Sequence, residues 1–483
     1  MCRRSGTGGK DDMVTATAAP AASGQGPSRL AGPTPAAQPS APNVNPALER
    51  FIPVTTLALV DRLTVPAAWP NGDCERARRF FRYLNFWRRQ KHTQRLMSLL
   101  RAYEPFDPDS DLLITREYSA TDKKKLQKRT VCEIERILER ANYVRIDPKS
   151  VEMILTKDSH YGLDLHVDLG VFEECLLYYR GASMKRDRRT NYRKFMRKEE
   201  FDVPIYRRLM LLFKLKPFDI RVKEVMAERN ISETEAAKFV TQMRGSLSTE
   251  VKDGNIYIKL FKNIPRSDLE MVFPNTRVKF RLLDKIKLGV TGGGAMGMGL
   301  VGTAGKLAAG GLTIANPIAL MGAVAGLGGI AFRQGVNFFN QKQRYMVVMA
   351  QNLYFHAMAD NRGVLIKLSE RAAEEDVKEE ILLYSVLAKE PAKRSDLPVI
   401  DGVIEKYLHT TFDIRVNFDL PDALERLIAD GVVTEGPDGT LHTLQPTDAA
   451  AHLDAMWDRF LDDLPDGSRA EGSELDAEDF PHL

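Results

Sequence analysis

Residues 288–332 carry no acidic side chain and one basic one, Lys306. Fourteen of these forty-five residues are glycine, out of 34 in the whole chain. The stretch falls into two uncharged runs, Leu288–Gly305 and Leu307–Phe332, each at or near the length that crosses a bilayer. A two-helix membrane hairpin within 286–333 is therefore expected, with helices over about 288–305 and 312–332. The second run holds Leu312, Ile314, Ile318, Leu320, Val324, Leu327, Ile330 and Phe332, which together favour insertion by roughly 2–5 kcal/mol. The first has Leu288, Val290, Leu300 and Val301, about 1–2 kcal/mol, and needs a partner. Gly289, Gly293 and Gly297 recur every four residues, and Gly322 and Gly326 do the same. Such ridges of small residues let two helix backbones approach closely. The plainer alternative is a glycine-rich hairpin buried in a soluble fold.

Flanking charge sets the orientation. Arg277, Lys279, Arg281, Lys285 and Lys287 precede the pair, and Arg333, Lys342 and Arg344 follow it, against the lone Lys306 in the turn. The excess of cations outside the hairpin puts both soluble parts and both termini on the cytoplasmic side of a bacterial cell membrane, or on the matrix side of a mitochondrial inner membrane.

The net charge of +4 hides an asymmetry. Residues 360–483 hold 12 Lys+Arg against 29 Asp+Glu, a net of −17, and residues 1–359 hold 57 against 36, a net of +21. The basic part invites an anionic surface, and the acidic part invites a protein partner or the chain's own basic half. The cysteines Cys2, Cys74, Cys132 and Cys175 form no CxxC pattern, which argues against a disulfide framework or a cysteine zinc site. No cleavable signal peptide is visible.

Along the chain, residues 1–46 are rich in Ala, Pro, Gly, Ser and Thr and are expected to be a disordered tail. A basic helical region over 47–142 follows. In it Glu75–Tyr103 carries Phe80, Tyr83, Leu84, Trp87, Leu96, Leu99 and Leu100 near helical spacing, with arginines such as Arg88 and Arg95 between them. Asp122–Ala141 reads as a second helix. An α+β domain over 143–283 holds strands at Leu163–Leu169, Phe172–Tyr179, Ile205–Lys214 and Asn255–Phe261. Ser232 with Glu235 forms a capping box opening a helix to about Met243, and Pro265–Val272 is a short helix. After the hairpin, 343–461 is a helical, winged-helix-like domain. Gln343–Ala359 reads as a helix, and Glu375–Ala388 as another with Val377, Ile381, Leu382 and Leu387 inward. Leu397–Tyr407 and Leu420–Ala429, N-capped by Asp419, come next. Val432–Thr434 and Thr440–Leu444 flank a Gly436-Pro-Asp-Gly439 turn. Residues 462–483 form an acidic tail. The fold class is α+β, with the membrane hairpin between a basic α+β domain and the C-terminal winged-helix-like domain.

Chemical motifs are scarce. Gly299–Leu307 fails as a phosphate loop, because Leu300 stands where glycine is needed and Leu307 where a hydroxyl must meet magnesium. Asp164, His166 and Asp168 share one face of a strand and could hold a metal, but the opposite face, Leu163, Leu165, Val167 and Leu169, makes an ordinary amphipathic strand the better reading. No nucleophile–base signature is present, and no cofactor or metal is expected. Arg180–Lys223 is dense in Lys and Arg with Tyr192, Phe195, Tyr206 and Phe213 among them, a pattern that suits a solvated sheet face with core aromatics first, anionic lipid headgroups next, and RNA or DNA least. The third helix of the winged-helix-like order, Asp419–Asp430, has four acids against one arginine, so DNA is not expected.

The run Ile256-Tyr-Ile-Lys-Leu-Phe-Lys-Asn-Ile-Pro-Arg-Ser-Asp-Leu-Glu-Met-Val-Phe-Pro274 resembles the hallmark of domain-of-unknown-function family 3754, which includes transmembrane protein 143. Glu49-Arg-Phe-Ile-Pro53, Tyr178-Tyr-Arg-Gly181 and Tyr206–Phe213 support the likeness, which spans about 49–350. The resemblance implies an integral membrane protein and supplies no activity. The resulting expectation is a membrane-anchored interaction or scaffold protein. It would contact anionic membrane lipids, offer its C-terminal domain to a protein partner, and be free to form homo-oligomers. Lys259, Lys262 and Arg266 are its candidate surface. The alternative is a membrane-bound enzyme that acts on a phosphorylated or lipid substrate through the basic α+β domain. Perturbed carboxylates lining a deep cleft would favour the enzyme, and a flat sheet the scaffold.

Overall fold

The run Leu209-Met-Leu-Leu-Phe213 has no polar residue, so a strand built from it must bury both faces. It lies in β4 (Arg197–Leu215), which pairs antiparallel with β3 (Phe172–Asn191) and β5 (Ile256–Pro265). With β1 (Val144–Arg145) and β7 (Ala357–Asp360) these make a five-stranded sheet in the order β1-β3-β4-β5-β7. A separate ladder joins β2 (Asp164–His166) to β6 (Arg277–Lys279). Alternation sends Leu209, Leu211 and Phe213 to one face, where they pack with Phe172, Tyr257, Phe261, Leu269 and Phe273. Met210 and Leu212 go to the other face, with Leu176, Tyr178, Ile256, Ile258 and Leu260. The structure is a computed structural model that describes residues 49–69, 73–113, 117–147, 164–191, 197–245, 247, 251–279, 347, 350 and 353–462.

Helices cover the second face. These are the C-terminal half of α2 (Asp73–Tyr103), then α3 (Ala120–Arg140), started by Ser119, whose Oγ accepts from Asp122 N at 3.1 Å, and the N-terminal half of α6 (Asn361–Leu387). The other halves of α2 and α6 build a second core with α1 (Thr56–Leu63), α7 (Leu397–Phe412), α8 (Leu420–Ala429) and α9 (Pro446–Arg459). A small antiparallel sheet, β8 (Ala392–Lys393), β10 (Thr440–Thr443) and β9 (Val433–Glu435) in that spatial order, completes this unit. Between β4 and β5, α4 (Phe218–Arg229) and α5 (Glu233–Arg244) form a helix pair on a small core of Val222, Val225, Ala236 and Val240. Asn230 ends α4 at φ 51°, and the capping box of Ser232 and Glu235 opens α5.

Most local readings match, and the exceptions have causes. Ala357–Asp360, expected as the end of a helix, is a strand, because β5 offers it an open edge. Asn361 then turns the chain at φ 45°, with its Oδ1 accepting from Ile258 N at 3.0 Å, so α6 begins fourteen residues before Glu375. The alternating run 163–169 keeps only three paired residues, because the Asp168 carboxylate accepts from Gly170 N at 2.9 Å and opens a 3-10 turn, Leu169–Val171. Asp419 precedes α8 without a side-chain cap bond. The tails 1–46 and 463–483, the hairpin 288–332 and its glycines Gly289, Gly293, Gly297, Gly322 and Gly326 lie outside the described residues. Among the described residues no helix is long and apolar enough to cross a membrane.

Candidate functional site: a buried ionic layer

The two long helices share an unusual pattern. On α2 the buried stripe runs Ala77, Phe80, Phe81, Leu84, Trp87, then Arg88, His92 and Arg95, then Leu99 and Ala102. On α6 it runs Val364, Leu365, Leu368, Ala372, then Glu375, Asp376, Glu379 and Glu380, then Leu383 and Leu387. Each stripe keeps the i, i+3, i+4 spacing of a core-facing helix. Each is apolar at both ends and charged in the middle, basic on α2 and acidic on α6. The charged turns meet at the waist between the two cores.

There the Arg426 guanidinium, from α8, serves three carboxylates. Its Nη2 donates to Glu379 Oε2 and its Nε to Glu380 Oε1, each at 2.7 Å, and its Nη1 lies 3.3 Å from Asp376 Oδ1. Arg88 lies 3.0 Å from Glu380 Oε1 and 2.5 Å from Asp430 Oδ2, and Lys91 reaches Asp430 at 2.7 Å. His92 Nε2 contacts Asp376 Oδ2 at 2.8 Å, and Asn142 donates to Glu379 Oε1 at 3.1 Å. One turn along, Arg95 forks onto Glu133 of α3, with the Nη2–Oε2 arm at 2.9 Å. Arg88, Glu133, Asp376 and Glu380 are all 0 % exposed, so the ion pairs are shielded from water.

The layer also captures the segment before α1. Glu375 accepts from Ile52 N at 3.0 Å, and Lys378, paired to Glu375 at 2.8 Å, donates to Ile52 O at 2.6 Å. Glu49 accepts from Ala182 N on β3 at 2.7 Å, while its carbonyl accepts from Asn417 N at 2.9 Å. Glu49–Pro53 is thus a strap tied to the sheet, to α6 and to the C-terminal unit. Arg180 lies over Phe51 at 4.8 Å and 3.5 Å from Glu375.

Protonation follows from this crowding. Burial alone would raise the Asp376 carboxyl, but Arg426, His92 and Arg140 outweigh it and hold it well below the usual carboxylate range. Glu379 goes the other way. Burial first, and the negative charge of Asp376 beside it, push it up to about 8 against the pull of Arg426. Burial also lowers His92, against the pull of Asp376. These groups face one another and no open space. A cavity of about 140 Å³ lies elsewhere, between α1, α6 and α7, and is lined by Arg62, Leu382, Val386, Lys389, Val403 and Tyr407, with no member of the layer.

The residues singled out from sequence sit differently. Lys259 pairs with Asp360 at 3.0 Å, Lys262 is exposed, and Arg266 lies over the Tyr206 ring at 4.9 Å. Lys259 and Lys262 are three apart on β5 and so point to opposite faces, and the three cations do not converge. Asp168, one of the three metal candidates, is engaged by Gly170 N and by Arg221 at 3.6 Å. Among the described residues no group of three His, Cys, Asp or Glu could hold a metal. The arginines of α2, read as lying between the apolar positions, divide. Arg76, Arg78, Arg79 and Arg82 are exposed, but Arg88 and Arg95 are buried. The inward set of α6 likewise extends beyond Val377, Ile381, Leu382 and Leu387 to five charged neighbours. The missed signal was the four-residue spacing from Leu84 to Arg88 and from Arg95 to Leu99, which places the charges on the apolar stripe itself.

An α+β sheet unit joined to a helical unit through a buried ionic layer is the class this geometry defines. Within it, residues 172–363 match the family model described as Protein of unknown function (DUF3754). The match begins at β3 and ends at the first turn of α6, so it takes in the sheet's strands β3, β4, β5 and β7 and the apolar insertion. No solved structure matches the chain.

Proposed function

We propose that this is a membrane-anchored interaction or scaffold protein, held by the hairpin at 288–332, with both folded units on one side. One observation carries the reading. β5 pairs on one edge with β4, which precedes the apolar insertion, and on the other with β7, which follows it. Chain on both sides of the insertion therefore shares one sheet and one side of any bilayer. An even number of crossings follows, as two runs of spanning length allow. The order of α6, β8, α7, α8, β9 and β10 supports a winged-helix-like reading of the C-terminal unit. Its third helix, α8, turns Pro421, Asp422, Glu425 and Ala429 outward and spends its only arginine in the ionic layer. An acidic outer face favours a protein partner over nucleic acid. Asp376, Glu379 and Glu380, the fully buried carboxyls with shifted protonation, are sealed in the layer and line no cleft among the described residues, which supports the scaffold over the enzyme.

The test is carbonate extraction of native membranes with tags at both termini. The chain should stay in the pellet, and protease added from one side should remove both tags. Release as a monodisperse particle without detergent would overturn the anchoring. Tags cut from opposite sides would overturn the even number of crossings.

A further inference from the structure

The two ends of the sheet differ. At one end β5 begins at Ile256, whose carbonyl accepts from Tyr103 OH at 2.8 Å, and Asn361 donates to Asp109 at 2.6 Å. At the other end β5 finishes at Pro265, opposite Ile205 of β4. From there β3 and β4 run on, unaccompanied among the described residues, as a two-stranded arm to Asn191 and Arg197. β7 is antiparallel to β5, with Ala357 opposite Phe261 and Asp360 opposite Lys259. The chain coming from the apolar insertion therefore enters the sheet at the arm's end. His356 Nδ1 donates to Lys262 O there, at 2.6 Å.

Just before that entry stand two aromatics, Tyr354 and Phe355, 78 % and 68 % exposed, edge to face at 5.3 Å. Beside them Lys262 lies opposite Arg208 across β5 and β4, two like charges whose repulsion a counter-charged surface would relieve. Exposed aromatics with a pair of like-charged cations beside them are what a membrane–water interface takes. Chain leaving the separate β2–β6 ladder at Lys279 has eight residues before Leu288, a reach of up to about 28 Å.

We infer that the arm's end of the sheet rests on the anionic headgroups of the anchoring membrane, with Tyr354 and Phe355 in the interfacial layer and Lys262 and Arg208 toward the lipid charge. The inference rests on the anchoring proposed above and goes further by choosing one end of the domain.

The test uses the full chain in nanodiscs of phosphatidylcholine, with and without phosphatidylserine, whose acyl chains are brominated near the headgroup. Phe355→Trp should lose emission to the bromines, relative to the unsubstituted chain with its own three tryptophans. Leu113→Trp, 87 % exposed on the connection after α2 at the other end, should not. Phosphatidylserine should deepen the loss at Phe355→Trp, and adding Arg208→Glu and Lys262→Glu, or high salt, should reverse that deepening. A chain that never incorporates overturns both anchoring and inference. Incorporation with no loss at Phe355→Trp, or equal loss at Leu113→Trp, overturns the inference and leaves the anchoring standing. Loss indifferent to phosphatidylserine removes the anionic component. An RNA oligonucleotide that restores the emission would assign the surface to nucleic acid instead.

Discussion

The waist between the cores and the arm beyond the sheet both set arginines against carboxylates, and they do so under opposite conditions. In the waist Arg88, Arg95 and Arg426 are sealed from water with their partners. In the arm Arg186, Arg188 and Arg189 are in register with Asp202, Glu200 and Glu199 on two strands, with no third strand among the described residues. Removing one partner in the waist strands a charge where no water can reach it. A cross-strand pair of opposite charges on a two-stranded ribbon is worth only roughly 0.2–1 kcal/mol. The same residue pairing therefore fixes how two units join in one place, and does little more than steady a ribbon in the other.

The sharpest break of this contrast is Arg95→Ala. It leaves Glu133 buried and unpaired and should cost about 3–5 kcal/mol in denaturant unfolding. The double change Arg95→Met with Glu133→Met should recover most of the loss, since an apolar pair of similar size is often neutral there. No recovery would mean that the layer contributes more than a desolvated pair.

Glu379 sharpens it next. Its carboxyl is raised in the folded chain, so between its ordinary value of 4.5 and about 8 the folded state holds a proton that the unfolded state has lost. Stability should therefore fall as pH rises through that window and level off above it. His92, lowered when folded, works against this below its ordinary 6.5, where the unfolded chain gains the proton. The clean window is thus pH about 6.5 to 8. There the intact chain should lose on the order of 2 kcal/mol, and Glu379→Gln should flatten the slope. Equal slopes in the two proteins would show that Glu379 is ionised throughout.

A smaller effect belongs to the hinge where the arm leaves the sheet. Gly181 sits at φ +76°, and a Cβ there would meet the Arg207 side chain at 3.0 Å. Gly181→Ala should cost about 1–2 kcal/mol. The smallest effect is in the arm itself. Glu200→Gln should cost about 0.2–1 kcal/mol, read as faster amide exchange confined to 185–191 and 197–203. A global loss of stability from that change would erase the distinction between arm and waist.

Several local features were legible because short-range chemistry decides them. The two-faced apolar run of β4, the capping box of Ser232 and Glu235, the turn at Gly436–Gly439 and the long helix through Phe80 and Leu99 each need only neighbours in sequence. Glu49–Pro53 could be recognised as a motif, but its work as a strap depends on Ala182, Glu375 and Asn417, far away in the chain. The acidic run Glu374–Glu380 follows every local rule for a solvated helix face. It is buried because Arg88, His92 and Arg426 arrive from two other helices.

Composition and periodicity by themselves determined an α+β chain with a charge-free, glycine-rich insertion and an acidic C-terminal half, since these follow from side-chain polarity read along the backbone. Tertiary structure alone decided which charges are core and which are surface. A lone helix cannot say whether its charged turn will meet water or an opposite charge, because that depends on partners hundreds of residues distant. The end of the sheet at which the apolar chain re-enters was settled the same way, by the antiparallel register of β5 and β7.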